Sequence, residues 1–262
     1  MDTRSHFRDP LIIAATIETA AAGLWDVEER ALAAVPPSGA SLEGSGPRHG
    51  LLDLGCGSAR IAANNGAAFE TIVLVDFSPE LLELASEAVK SRNPSADVET
   101  LCVDATGVLT LGPNDDAGSE AFWRRARDCS LVTAGNYLCY IKGRGNRIRA
   151  LQNLADTLRN DAILLISNHV VPSLDLAFEA LDVDAGKLLR AAEDPSFADA
   201  LLDTDSGDGS FVHWFTKELL ASEINAAGLG ILHSEHSGDG LRVAFLCAPP
   251  APKPPSTGRR TR

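Results

Sequence analysis

Three acids stand in or just after three successive apolar runs of this sequence, and their surroundings suit a nucleotide-like ligand. Asp53 lies inside Leu51-Leu-Asp-Leu-Gly-Cys-Gly-Ser58. There Gly55 and Gly57 let the backbone turn tightly and meet a ligand with no Cβ in the way. Asp76 ends Thr71-Ile-Val-Leu-Val-Asp76, 19 residues after Gly57. A carboxylate at that place can accept hydrogen bonds from both hydroxyls of a ribose. Asp104 follows the next run and precedes Ala105; its oxygens can receive an exocyclic amine such as that of adenine. A glycine pair alone fits many nucleotide-binding sheets. A dinucleotide enzyme requires G-x-G-x-x-G, and here the third position holds Arg60, which disfavours a pyrophosphate at the helix N-terminus.

Other residues could act on a second ligand. His169 directly follows an apolar run and is the first candidate base or orienting group. His213, beside Trp214, is the second. Tyr137 and Tyr140 could line a pocket or stack on a cationic acceptor. Arg60 reads as a solvated helix charge. No His, Cys and Asp set has zinc spacing, so no metal is expected. The five cysteines, Cys56, Cys102, Cys129, Cys139 and Cys247, are odd in number and lie mostly in apolar stretches. They read as reduced, buried thiols of a cytoplasmic protein.

These residues need a frame. Leu51–Leu54, Thr71–Asp76, Val98–Val103, Ser130–Ala134 and Ala162–Ser167 read as buried strands. Pro79 to Lys90 has helical spacing, with Ser78 as N-cap and Pro79 in the first helical position. Asn146 to Arg159 is an amphipathic helix with Ile148, Leu151, Leu154, Ala155 and Leu158 on one face. Lys217 to Ala227 is a helix that stops at Gly228, and Ile231–Ser234 with Leu241–Ala248 read as a closing pair of strands. Strands separated by helices predict an α/β, doubly wound, Rossmann-like sheet of seven strands. It should be mostly parallel. The short Ser237-Gly-Asp-Gly240 link makes the last pair an antiparallel hairpin.

The chain therefore divides into five parts. Residues 1–48 are an N-terminal helical cover and linker, with a loop at 36–47. Residues 49–168 are the ligand-binding core. Residues 169–214 are an inserted helical cover over the site, 215–248 the last helix and hairpin, and 249–262 a disordered tail. The net charge of −13 repels a phosphate backbone, so no nucleic-acid partner is expected. The run Arg124, Arg125, Arg127, Lys142, Arg144, Arg147 and Arg149 reads as a solvated basic face. No apolar window is long enough for a membrane span, and a secretory signal is not expected.

Leu52-Asp-Leu-Gly-Cys-Gly-Ser58, Val75-Asp-Phe-Ser-Pro79 and Val103-Asp-Ala105 resemble motifs I, II and III of class I S-adenosylmethionine (SAM)-dependent methyltransferases. The resemblance covers roughly residues 50–168, with a weaker echo at 216–248. It implies SAM as cofactor, with S-adenosylhomocysteine as product. It also implies that Gly55, Cys56 and Gly57 lie against the methionine part, with Asp53 and Thr133 completing the set. Asp76 would hold the ribose, Phe77 would pack on adenine, and Asp104 with Ala105 would read its edge. Val132-Thr-Ala-Gly-Asn-Tyr-Leu-Cys-Tyr140 is similar to the glycine N-methyltransferase-like group, as are Arg149–Arg159 and Leu164–His169. That similarity implies that Asn136, with Tyr140, faces a small acceptor. His169 stands where that group has an Arg binding a carboxylate, so glycine itself is not implied.

The resulting expectation is methylation of a small molecule, at the nitrogen of an amine or amino-acid-like acceptor. An O- or C-methyltransferase of secondary metabolism is the alternative, and a non-catalytic SAM-binding regulator is the alternative of another class. A homodimer is compatible with all three. Several relatives are disfavoured. Amino-DNA methyltransferases need Asn/Asp-Pro-Pro-aromatic after the fourth strand, where Ala134-Gly-Asn-Tyr137 stands. A Pro-Cys nucleophile and the metal-binding acid of catechol-type enzymes are also missing.

Overall fold

The computed structural model describes residues 23–35, 48–113, 119–205 and 211–250. The expected loop at 36–47, most of the N-terminal cover and nearly all of the tail lie outside the described residues. Seven strands form one sheet in the order β3-β2-β1-β4-β5-β9-β8. They are β1 (Arg48–Leu54), β2 (Phe69–Asp76), β3 (Asp97–Cys102), β4 (Leu131–Gly135), β5 (Ile163–His169), β8 (Gly230–His236) and β9 (Arg242–Ala248). The first five pair in parallel, β9 is antiparallel to β5, and β8 is antiparallel to β9. This is the expected doubly wound sheet with its closing hairpin.

The apolar runs become strands because both faces of the sheet are covered. Leu52, Leu54, Val73, Val75, Val132, Leu164 and Ile166 point into one core. Leu51, Ile72, Leu74, Leu131 and Leu165 point into the other. Eleven of these twelve side chains are 0 % exposed, among them Leu51, Leu52 and Val73. The second core is closed by α1 (Asp26–Ala33), α2 (Arg60–Asn65) and α3 (Pro79–Arg92). The Ser78 hydroxyl accepts from the Leu81 amide at 3.2 Å and Pro79 follows, so α3 begins where its cap dictates. The first core is closed by α4 (Ala105–Leu111), α5 (Glu120–Asp128), α6 (Arg144–Thr157) and α10 (Lys217–Ala226). In α6, Leu151, Leu154 and Ala155 are buried as the periodicity requires, and Leu158, just past its end, is buried too. Arg147 is not solvated but 0 % exposed, which corrects the reading of a basic face.

The insertion contains α7 (Leu174–Ala180), α8 (Ala185–Glu193) and α9 (Pro195–Leu201). It also contains a two-stranded antiparallel ribbon, β6 (Asp203–Asp205) with β7 (Phe211–His213). The ribbon departs from the all-helical expectation. Three-residue strands with alternating acids carry too little apolar pattern to be seen in advance. Ala177, Phe178, Ala191 and Leu202 give this region a small core of its own.

The ribbon is tied to the sheet by Arg147. Its guanidinium donates to both oxygens of Glu223 on α10, from Nε at 2.9 Å and from Nη2 at 2.7 Å. Nη2 also donates to Asp199 at 2.8 Å, and Nη1 lies 3.5 Å from Asp203. His213 bonds Asp203 through Nδ1 at 2.7 Å.

Candidate active site

Ligands of an open parallel sheet lie beyond the carboxyl ends of its strands. At the end of β1 the chain turns through Gly55 and Gly57 with φ of +58° and +52°. A Cβ on Gly55 would come within 2.3 Å of the Tyr137 ring, so only glycine fits there. The Cys56 amide donates to the Val75 carbonyl at 3.0 Å, which pins the turn to β2. The Gly57 amide donates to Asp76 Oδ2, and the Ser78 amide to Oδ1, both at 3.0 Å. Asp76 is buried, and desolvation pushes its pKa up against the pull of those amides. The Phe77 amide also acts on this carboxylate, and with about four acceptor positions on its two oxygens there is room left for a ligand hydroxyl.

Phe77 follows, partly buried. Asp104 caps α4 by accepting from the Thr106 amide at 3.1 Å, and Ala105 behind it is buried. A glycine turn that a Cβ would block, a ribose-competent acid and a capped third acid together fit SAM.

Four expected site residues take interior positions. Asp53 is buried and accepts the Thr133 hydroxyl at 2.5 Å and the Ala62 amide at 3.3 Å. Burial raises its pKa to about 7. Asp53 and Thr133 thus join β1, β4 and α2 from within. Cys56 is buried and its thiol is pushed well up in pKa, so it offers backbone, not sulfur chemistry. Tyr137 lies against Gly55, its hydroxyl 3.0 Å from Thr106 Oγ1, and burial drives its pKa far upward. That places Tyr137 in the floor of the crevice, with its hydroxyl engaged by Thr106.

On the acceptor side, Asn136 holds φ of +52°, and its amide donates to the Ser167 carbonyl at 2.7 Å. Its Oδ1 accepts from the His169 amide at 3.4 Å. Tyr140 ends the short 3-10 turn Leu138–Tyr140, partly buried. His169 ends β5, exposed, with its ring 4.5 Å from that of Trp25. Its pKa is lowered by burial, then by the charges of Arg242 and Arg60. His213 is not brought here. It is 2 % exposed and belongs to the Arg147 network, which corrects its reading as a candidate base. Asp199, His213 and Glu223 have metal-like spacing, but the Arg147 guanidinium already sits between the two carboxylates.

Glu28 and Trp25 on α1 went unread in the sequence. Glu28 is 0 % exposed. It accepts from both terminal nitrogens of Arg60, from the Ser167 hydroxyl at 2.5 Å and from the Trp25 amide at 3.0 Å. Arg60 also lies 4.4 Å over the Trp25 ring. It is therefore a partly buried anchor between the glycine turn and α1, not a solvated charge. The available signal was Glu28 in the third helical position, reaching back to the residue that opens the helix.

A family model described as a methyltransferase domain matches residues 51–161. No curated protein matches the sequence significantly. Among solved structures, a SAM-dependent methyltransferase from Methanosarcina mazei is 13% identical, with 88% of this chain and 100% of that chain covered and a TM-score of 0.55. A chain of the complex between the Haloferax volcanii Trm112 methyltransferase activator and a methyltransferase is 13% identical, covering 96% and 99%, at a TM-score of 0.59. An O-methyltransferase family 2 protein from Planctomyces limnophilus, in complex with apigenin, is 16% identical, covering 91% and 60%, at 0.55. At these identities the likenesses speak for the fold. The domain match spans the turn, the three acids and the fourth strand, so residues 51–161 match a methyltransferase domain, on a Rossmann-like fold shared with solved SAM-dependent methyltransferases.

Proposed function

We propose that the chain methylates a small molecule, at the nitrogen of an amine or amino-acid-like acceptor. The observation that carries this reading is His169, an exposed imidazole at the carboxyl end of β5, beside Asn136, with its pKa lowered by burial and by Arg242 and Arg60. When bound, SAM supplies an electrophilic methyl group on a sulfonium. Asp76 would accept the ribose hydroxyls, and the Gly55–Gly57 turn would admit the methionine part against its backbone. The acceptor atom needs to sit about 3–3.5 Å from the methyl carbon and in line with the breaking bond. Asn136, just past β4, accepts from the His169 backbone amide at 3.4 Å, and the two would frame that position. A ring nitrogen of His169 that is unprotonated would relay a proton from the acceptor on to solvent as the methyl group is transferred. The insertion and α1 would exclude water.

A phenolic acceptor is the second reading. A neutral histidine suits a hydroxyl that must lose its proton, and the Planctomyces limnophilus neighbour was solved with apigenin.

Both readings are tested with methyl-labelled SAM against matched panels of amines and phenols. We expect kcat/KM to fall about 10²-fold or more in His169→Ala. The acid limb of the wild-type profile should lie below pH 6.5, since the folded pKa is lowered. An unchanged acid limb in His169→Ala would exclude His169 as the base.

A further inference from the structure

Arg242 opens β9 and pairs in register with His169 at the end of β5. The antiparallel run of β9 thus brings a guanidinium to the edge where the parallel strands end. Its central carbon lies 5.3 Å from the Trp25 ring, which His169 also contacts. The two other arginines described above are committed. Arg60 is bound by Glu28, and Arg147 by Glu223 and Asp199. Arg242 differs. Among the described residues its side chain has no ion pair, and its Nε is shielded from water without a hydrogen-bond acceptor. Asp239 has its pKa lowered by hydrogen bonds from the Ser237 hydroxyl and the Leu241 amide and, less, by the Arg242 charge, but forms no ion pair with Arg242. An enclosed guanidinium N–H with no acceptor carries an unmet desolvation cost, and a planar carboxylate matches its geometry.

We propose that Arg242 anchors a carboxylate on the acceptor, so that the enzyme selects amino-acid-like amines over plain amines. This rests on the small-molecule methyl-transfer reading and narrows it. The methionine carboxylate of the cofactor is the same chemistry from another source, and the test separates the two.

The probes are three pairs that differ by one carboxylate: glycine and methylamine, phenylalanine and phenethylamine, anthranilate and aniline. Protein saturated with S-adenosylhomocysteine is titrated with each, following the Trp25 indole N–H by NMR, assigned with Trp25→Phe. The expected result is a Trp25 shift with at least one carboxylate member and none with its partner. Apparent affinity should drop about tenfold or more in Arg242→Gln and recover in part in Arg242→Lys. In parallel, the variants' affinities for S-adenosylhomocysteine and for 5′-methylthioadenosine, which lacks the amino-acid part, should stay within about twofold of wild type. Three results would overturn the assignment. One is equal shifts from both members of every pair, or no shift from any. Another is carboxylate binding that survives Arg242→Gln. The third is a selective loss of S-adenosylhomocysteine binding, which would give Arg242 to the cofactor. Methyl transfer to plain amines or phenols alone would also remove it while leaving the methyltransferase reading intact. Binding of S-adenosylhomocysteine without turnover of any acceptor would defeat that reading itself.

Discussion

Thr133 donates its hydroxyl to Asp53 at 2.5 Å across the seam between β1 and β4, and neither residue reaches solvent. The carboxyl of Asp53 is raised by burial from its ordinary range to about 7. A raised carboxyl pKa means the folded protein binds a proton that the unfolded chain releases. The stabilising contribution is complete below about pH 4 and is lost as pH rises through 7. Asp53→Asn mimics the protonated form and keeps an acceptor for Thr133. Chemical denaturation across pH 4 to 8 should show a stability difference between wild type and variant that grows in the variant's favour with pH. A constant difference would mean that Asp53 does not titrate in this interval.

Glu28 and Arg60 form the second seam, between α1 and the helix that follows the glycine turn. Removing one member of a buried ion pair costs about 3–5 kcal/mol, because the other charge stays behind unpaired. Glu28→Gln should therefore lower the melting temperature and also weaken S-adenosylhomocysteine binding, since Arg60 directly follows the turn. Calorimetric scanning and titration on the same sample read both effects. A stability loss with unchanged ligand affinity would uncouple α1 from the cofactor turn.

Asp76 accepts two backbone amides and is the acid best placed for the ribose. Asp76→Ala should abolish measurable SAM affinity in titration calorimetry. Asp76→Asn keeps one acceptor oxygen for the turn, and should fold while still losing most of the affinity. Near-native affinity in either variant would refute the ribose role.

Arg147 holds Glu223, Asp199 and Asp203 together from α6, α10 and the insertion. Arg147→Met leaves three acids facing one another without the buried cation. We expect faster hydrogen exchange and earlier proteolysis across residues 195–216, with the sheet still protected. Uniform loss of protection would show that the insertion and the sheet unfold as one unit.

These seams mark where the sequence was legible and where it was not. Ser78 and Pro79 stand next to the helix they start, and the apolar runs of β1, β2, β4 and β5 carry their own burial pattern, so both could be read locally. Asp76 and Asp104 could be proposed from the sequence because their position at or just past a strand end is itself the signal. Asp53 looks the same in the sequence, yet its partner Thr133 lies 80 residues away. Arg147 sat in a basic run and looked solvated, because Asp199 and Glu223 lie 52 and 76 residues downstream. Arg60 and Glu28 are 32 residues apart, and nothing local pairs them. Charge neutralisation inside a fold is a long-range event, and a local reading defaults such groups to the surface.

The reversed direction of β9 has a consequence for how such an enzyme can diverge. Five strands deliver their last residues to the reacting edge, whereas β9 delivers its first. Its entrance follows the Ser237–Gly240 turn, a short link that can vary without disturbing the cofactor half. On the role proposed for Arg242, changes in selectivity would accumulate near residues 237–242 while the glycine turn and its acids stay fixed. Acceptor choice would then be written far downstream of the turn proposed to hold the methyl donor.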